Sequence, residues 1–253
     1  MDKKEYFVFS DVHGFYDELM LSLDKAGFDI NNPNHIIISC GDLMDRGPKP
    51  YECLEFVNNL PADRKILIRG NHEDLFDEIV KRKDFLLHDI HNKTEKTFID
   101  IYQKLYNKEV NMNDVIEKVA NCKEIKQYFA SLVNFFETEH YIFVHGFIPL
   151  KRAKLDSREL VYFDDWRTGN WNNAMWYNGF IGGFLNLNKT GKTIVFGHWH
   201  TSYGRYLESN GKIPEFSDNS CFDPFYGSNY IGIDGCTVRT GQVNVLKIED
   251  VIS

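Results

Sequence analysis

Five short apolar runs, rich in β-branched residues, each stop at a residue able to hold a metal ion. Tyr6-Phe7-Val8-Phe9 gives way to Ser10-Asp11-Val12-His13-Gly14, and Ile36-Ile37-Ile38 to Cys40-Gly41-Asp42. Ile66-Leu67-Ile68 precedes Gly70-Asn71-His72-Glu73, and Tyr141-Ile142-Phe143-Val144 precedes His145-Gly146. Thr193-Ile194-Val195-Phe196 precedes Gly197-His198-Trp199-His200. Carboxylates, imidazoles and one amide oxygen, without thiolate, suit Mn, Fe, Zn or Ni held for catalysis rather than a structural zinc. Asp42 has two oxygens, enough to bridge two cations; cations about 3.5–4 Å apart clamp a phosphoryl group and lower the pKa of a shared water. Singly, each residue has a plainer use: Asp11 or Asp42 caps a helix, Asn71 serves a turn, His145 is a satisfied core histidine. Together, at five strand ends, they point to one site.

The runs that carry these residues read as buried strands, and ligands gather at the carboxyl ends of such strands in open α/β sheets. The first is followed by apolar residues at helical spacing up to Gly27, the second by a helix over about 49–59 with Pro48 at its start, the third by a helix over about 73–83. This βαβαβα order predicts a layered α/β fold. Over 85–136 the pattern becomes helical throughout (Phe98, Ile101, Tyr102 and Leu105, then Val115, Ile116 and Val119), read as an insertion of two or three helices that packs within a single domain over 1–253. The aromatic stretch around Trp166, Trp171, Trp176 and Phe180, and a long polar loop over 203–226, are candidates for the pocket rim. The runs 230–233 and 242–246 read as a hairpin turning at Thr240-Gly241.

The formal charge of −8 argues against a surface for bulk nucleic-acid binding. No apolar run reaches the roughly 18 residues of a membrane span, and the apolar run after Met1-Asp2-Lys3-Lys4-Glu5 is shorter than the about 7–15 residues of a signal-peptide core. Five cysteines without CxxC spacing read as free thiols of a reducing cytoplasm, with Cys40 and Cys53 buried.

The elements Ser10-Asp11-Val12-His13-Gly14, Gly41-Asp42-Leu43-Met44-Asp45-Arg46-Gly47, Arg69-Gly70-Asn71-His72-Glu73, His145-Gly146 and Gly197-His198 occur in the order of the phosphoprotein-phosphatase branch of the calcineurin-like metallophosphoesterases, which this chain resembles from residue 10 to 198. The resemblance implies a four-layer α/β/β/α sandwich with central mixed sheets. It implies two metal ions, Mn foremost, with Asp11, His13 and Asp42 on one and Asp42, Asn71, His145 and His198 on the other. It also implies in-line attack by a metal-bridging hydroxide, His72 as general acid, Asp45 as its orienting carboxylate and Arg46 as phosphate grip; a guanidinium matches phosphate oxygens as a fork. Arg69 either supports the site or packs at the sheet edge, and Glu73 complements a helix dipole. In two places the chain departs from the pattern. Many relatives carry a second phosphate-binding arginine where this chain has Met175-Trp176-Tyr177-Asn178, which puts Asn178, or Arg167 as a substitute, on the substrate. His200 matches a Gly-His-x-His variant of the superfamily in which the second histidine is a further metal ligand.

The expected activity is hydrolysis of phosphomonoesters, foremost as a serine/threonine protein phosphatase. Asp-Arg-Gly and Gly-Asn-His-Glu favour it over the Ala-Arg-Gly and Gly-Asn-His-Asp of symmetric tetraphosphatases. The alternative is a dinucleoside polyphosphate hydrolase, with aromatic residues (Trp166, Trp171, Trp176, Tyr203, Phe222, Tyr226) stacking bases. A non-catalytic module with the same fold would need a broken ligand set, and none of the six principal ligands is missing. A phosphoprotein or a small phosphoester or nucleotide is the expected partner, with neither nucleic acid nor membrane.

Overall fold

The computed structural model describes residues 4–154 and 157–251; the start of the N-terminal stretch read above, Met1 to Lys3, lies outside them. The first half of the chain alternates: β1 (Lys4–Phe9), α1 (Tyr16–Ala26), β2 (His35–Ser39), α2 (Pro50–Asn59), β3 (Lys65–Ile68) and α3 (Asn71–Arg82). Four helices follow, α4 (Leu87–His91), α5 (Thr94–Tyr106), α6 (Val115–Asn121) and α7 (Lys123–Ser131). Short strands come next: β4 (Leu132–Val133), β5 (Phe136–Glu137), β6 (Tyr141–Phe143), β7 (Lys151–Arg152) and β8 (Leu160–Val161). The remainder is α8 (Trp171–Ala174), α9 (Gly179–Phe184), β9 (Thr193–His200), α10 (Thr201–Glu208), β10 (Phe225–Tyr226), β11 (Tyr230–Asp234), α11 (Thr237–Thr240) and β12 (Leu246–Asp250).

The strands form two five-stranded mixed sheets, ordered β12-β1-β2-β3-β4 and β10-β11-β9-β6-β5, with β7 and β8 as a separate hairpin. In the first sheet only β12–β1 is antiparallel and the other three pairings are parallel; in the second the two central pairings are parallel and both edge pairings antiparallel. Period-two alternation on β1 explains the layering. Tyr6 and Val8 face the second sheet and meet Phe143, Val195 and Ile233 in a core between the sheets. Phe7 and Phe9 face the helices, where Leu19, Leu54, Phe76 and Phe98 close over them. Beyond the second sheet, Ile194 and Phe196 pack under Trp166 and Phe180. Helices, sheet, sheet and helices make the expected four-layer α/β/β/α sandwich.

Residues 85–136 differ in detail from the sequence reading. They form four helices, and the stretch ends in β4, which extends the first sheet, and in Phe136, which opens β5 of the second. Phe98, Ile101, Val115, Val119 and Ile125 belong to the same core as Leu54 and Phe76, so the insertion thickens the first helical layer. The hairpin expected over 230–246 does not form. β11 runs parallel to β9 in the second sheet, β12 pairs antiparallel with β1 in the first, and Thr237 to Thr240 between them is helical. Only Leu246 of the expected second arm lies in a strand, and what separates the two runs is long-range pairing, which local turn chemistry does not encode. The polar stretch from 203 likewise begins as helix α10.

Asp250 ties this last strand to the other sheet. Its Oδ2 accepts the His140 backbone N–H at 3.0 Å and its Oδ1 the His140 Nδ1 at 2.8 Å. Burial works against the charge, but these bonds and one from Thr138 hold the carboxyl down at about 2. A depressed carboxyl contributes stability that is whole above its unfolded value and fades as pH falls through the folded one. Asp250→Ala is expected to lower the unfolding free energy by about 1–2 kcal/mol at neutral pH, the partner being exposed. Urea denaturation should show that difference shrinking as the pH is taken from about 4 towards 2.

Candidate metal centre

The carboxyl ends of β1, β2, β3 and β9 meet in one cavity of about 250 Å³, lined by Asp11, His13, Asp42, Asn71, His72 and His198, and His145 from the end of β6 stands behind it against Asn71. The turns that aim these side chains are tight: Asp11, His13, Asp42, Asp45, Arg46 and His198 all have φ between 51° and 70°. Non-glycine residues seldom take this conformation, at about 1–3 kcal/mol each, and such positions cluster where a site dictates backbone geometry. Two glycines let the strand ends approach. A Cβ on Gly70 would strike the Asp42 carboxylate, and one on Gly197 would strike Ser10 Oγ and Asp11 Oδ2. The strand bearing His198 runs on to His200 rather than stopping at Phe196, with an irregular register where it pairs β11.

Asp42 stands at the centre. Its Oδ1 accepts the His72 backbone N–H at 2.9 Å and lies 3.5 Å from His145 Nε2, while Oδ2 lies 3.8 Å from His13 Nε2. Two ligand groups share it: His13, Asp42 and His72, and Asp42, His145 and His198, each with donor atoms within 4.8 Å of one another. The sequence grouped Asp11, not His72, with His13 and Asp42. Asp11 sits beside that cluster because its Oδ2 is engaged by Ser10 Oγ and, at 2.9 Å, by the His198 N–H.

Protonation suits cations. His13 and His198 are held neutral chiefly by burial, His13 well below the ordinary range and His198 at about 3, so both offer lone pairs. The Nδ1–H of His13 donates to the Met44 carbonyl at 3.2 Å, which turns Nε2 inward. His145 Nδ1–H donates to the Cys40 carbonyl at 2.7 Å. Burial lowers the His145 pKa, but Asp42 and Asp11 outweigh it and raise it overall, so Nε2–H donates to Asn71 Oδ1 at 2.8 Å, a proton that a cation would replace. Burial, together with the Asp234 and Asp42 carboxylates, raises Asp11, the signature of crowded carboxylates short of positive charge. The donor set fits two metal ions.

Around this cluster the side chains are committed. His72 Nδ1–H donates to Asp45 Oδ2 at 2.7 Å; Thr94 and Thr97 donate to the Asp45 oxygens, each at 2.7 Å. Burial lowers the His72 pKa, but Asp42 and Asp45 outweigh it and raise it overall. Arg46 reaches His13 Nε2 and Asn92 Oδ1, both at 3.3 Å, and is the sole lysine or arginine lining the cavity among the described residues. Asn92, Thr94 and Thr97 all come from the helical insertion, which therefore does more than pack. Glu73 also exceeds a dipole role: buried, it accepts from the N–H groups of Gly70, Asp42 and Leu43 and from Tyr128 O–H, pinning the β2 and β3 turns together. Arg69 pairs with Asp74 and Asp77, away from the cavity.

Two residues expected on the substrate lie away from the metal cavity. Arg167 lies on the surface, paired with Glu137 at 2.6 Å and stacked on Trp166, because its 3-10 turn faces the far edge of the second sheet. Asn178 caps α9, its Oδ1 accepting the Ile181 N–H at 3.2 Å, and lines a neighbouring cleft instead. Of the aromatic residues, Trp166 and Trp171 are core, whereas Trp176 is 48% exposed with its ring edge-on to His198 at 6.0 Å. His200 lines the metal cavity but stands outside both ligand groups, its Nδ1 3.2 Å from Asp234 Oδ2. Asp234, buried and lining the same cavity, was missed by the sequence reading. It ends β11 before Gly235, the same pattern that marked the other strand ends.

Residues 6–233 match the calcineurin-like phosphoesterase family. Over 68 residues the chain is 43% identical to the symmetrical bis(5'-nucleosyl)-tetraphosphatase of Buchnera aphidicola subsp. Baizongia pistaciae, covering 27% of this chain and 23% of that protein. Over 76 residues it is 43% identical to the asymmetrical bis(5'-nucleosyl)-tetraphosphatase PrpE of Bacillus subtilis, covering 26% and 30%. The PrpE protein of Halalkalibacterium halodurans is 26% identical over 150 residues, 56% of each chain. The matches thus span from under a quarter to just over half the length of these relatives. Among solved structures, a cold-active protein tyrosine phosphatase superposes with a TM-score of 0.56 at 19% identity, over 96% of this chain and 73% of that one. A metallophosphoesterase from Sphaerobacter thermophilus gives 0.50 at 17% identity, over 100% and 89%. These likenesses show the fold.

Proposed function

The chain belongs to the calcineurin-like phosphoesterase family, and from that premise we propose that it is a metal-dependent phosphohydrolase whose best-supported substrates are dinucleoside polyphosphates such as diadenosine tetraphosphate. One observation carries the substrate class: the curated relatives matched at 43% identity are bis(5'-nucleosyl)-tetraphosphatases. This reverses the weighting drawn from Asp-Arg-Gly and Gly-Asn-His-Glu.

Two bound cations, Mn foremost, would supply Lewis-acid polarisation of the phosphoryl group and a nucleophile at neutral pH. Asp11, His13 and Asp42 would hold one, and Asp42, Asn71, His145 and His198 the other, with His200 at the rim. Arg46 holds the phosphate through its guanidinium fork, with Asn92 fixing its head. His72 delivers a proton from Nε2 to the leaving oxygen, and Asp45 keeps the ring turned and charged.

That acid pair favours a second reading, a serine/threonine phosphatase, because protonation matters most when an alkoxide leaves. Parallel kcat/KM values on diadenosine tetraphosphate, p-nitrophenyl phosphate and a phosphoserine peptide, with Mn alone, decide between them. The tetraphosphate is expected to lead by about tenfold or more. A leading phosphopeptide would establish the second reading, and no metal-dependent turnover in protein holding two metals would sink both.

A further inference from the structure

A second cavity, of about 460 Å³, is lined in part by Tyr177 and Asn178 of the ridge that carries Trp176, and the mechanism makes no use of it. The two cavities share no lining residue, and His145-Gly146-Phe147 links the metal cluster to this cleft along the chain. His145 belongs to the metal cluster, Phe147 lines the second cleft, and Gly146 between them is pressed against the backbone oxygens of Ala174, Met175 and Tyr177. A Cβ on Gly146 would collide with all three, so the strand end and the ridge are in direct backbone contact.

The cleft is lined by Phe147, Leu150, Tyr177, Ile181, Leu185 and Leu187, with Gly182 under the Phe147 ring. Two of these stay open to solvent, Ile181 at 43% and Leu185 at 64%, and exposed apolar side chains grouped at a cleft mark a place that something covers. Its polar groups are few and unspent. Asn178, its Oδ1 fixed by the helix cap, has a buried Nδ2 with no acceptor. Arg158, on the lining, has no carboxylate partner among the described residues, and Arg152 stands within electrostatic reach of Tyr177. Glu159 is the one carboxylate on the lining. An apolar cleft of ordinary ligand size, with an aromatic face, an amide donor on its lining and a guanidinium that has no carboxylate partner among the described residues, takes a flat heterocycle carrying an anionic tail.

Resting on the reading that nucleoside polyphosphates are the substrate, the geometry points to this cleft as the nucleobase subsite: one base against Tyr177 and Ile181, the polyphosphate crossing the Trp176 ridge to the metal cavity. An apolar peptide side chain would use the walls but leave the amide and the arginines idle.

Ile181→Glu and Leu185→Asp test it. Both side chains are open to solvent, and if circular dichroism shows one variant misfolded, the other carries the test. The ratio of kcat/KM on diadenosine tetraphosphate to kcat/KM on p-nitrophenyl phosphate is expected to fall about tenfold, through KM for the tetraphosphate. A ratio equal to that of the unaltered protein would overturn the subsite. Adenosine titrated calorimetrically into metal-free protein separates this failure from that of the functional reading. Adenosine bound by the unaltered protein and lost in Ile181→Glu upholds the cleft even if the tetraphosphate is not turned over. No adenosine binding to the unaltered protein overturns the cleft even if it is.

Discussion

Asp42→Asn is expected to abolish turnover and metal retention together. The variant isolates charge, because asparagine accepts the left-handed backbone that Asp42 adopts at φ 55° and keeps an oxygen for the His72 N–H. What it removes is, among the described residues, the only anion common to both ligand groups. Burial raises the Asp42 carboxyl, yet His145, His72 and His198 hold it below its ordinary value, so at neutral pH the site keeps a full negative charge at its centre. With an amide there, two cations would face each other across a neutral group whose NH2 repels one of them. Loss of a supporting partner alone costs about 10–100-fold in metal affinity, and loss of a shared ligand should exceed that. Metal content after gel filtration, together with kcat/KM on p-nitrophenyl phosphate, checks the result. Metal occupancy equal to that of the unaltered protein would disprove the bridge, whatever happened to turnover.

That such a residue could be found from sequence follows from how the fold delivers it. An apolar run that stops at a carboxylate or imidazole is local, and the parallel registers of β1 with β2 and of β2 with β3 then bring the stops side by side. What sequence could not supply is non-local. Thr94 and Thr97 reach Asp45 from 49 and 52 residues away, and nothing in two threonines on a helix announces a carboxylate partner. Arg167 and Asn178 were placed by their order along the chain, but loop paths decide where they end, at Glu137 and in the second cleft. Asp234 carried the legible pattern, strand followed by Asp-Gly. It was obscured because β11 and the following run read as two arms of one hairpin, although that run leads into β12 of the other sheet.

His72→Asn carries the second large effect and settles an ambiguity in the geometry. His72 lies in one ligand group with His13 and Asp42, its Nε2 4.0 Å from Asp42 Oδ2, so position alone allows it to be either a ligand or an acid. Its surroundings favour the acid. Asp45 takes the Nδ1–H, and because both Asp45 oxygens are also bound by threonines, the ring orientation is fixed and the charged form is favoured. A metal ligand needs the neutral ring; an acid needs the proton on Nε2. As an acid, His72 is worth about 10²–10⁴-fold in kcat where an alkoxide leaves, as from a phosphoserine peptide, and much less for p-nitrophenolate or a nucleotide leaving group. The variant should therefore keep both metals, lose most activity on the phosphopeptide, and lose little on diadenosine tetraphosphate. Loss of one metal equivalent would make His72 a ligand, and equal losses on good and poor leaving groups would remove the acid role. A protein selected only for polyphosphate anhydrides would gain little from so well-anchored an acid. A steep dependence on leaving-group pKa would thus show that ester hydrolysis also belongs to the chemistry this site was built for.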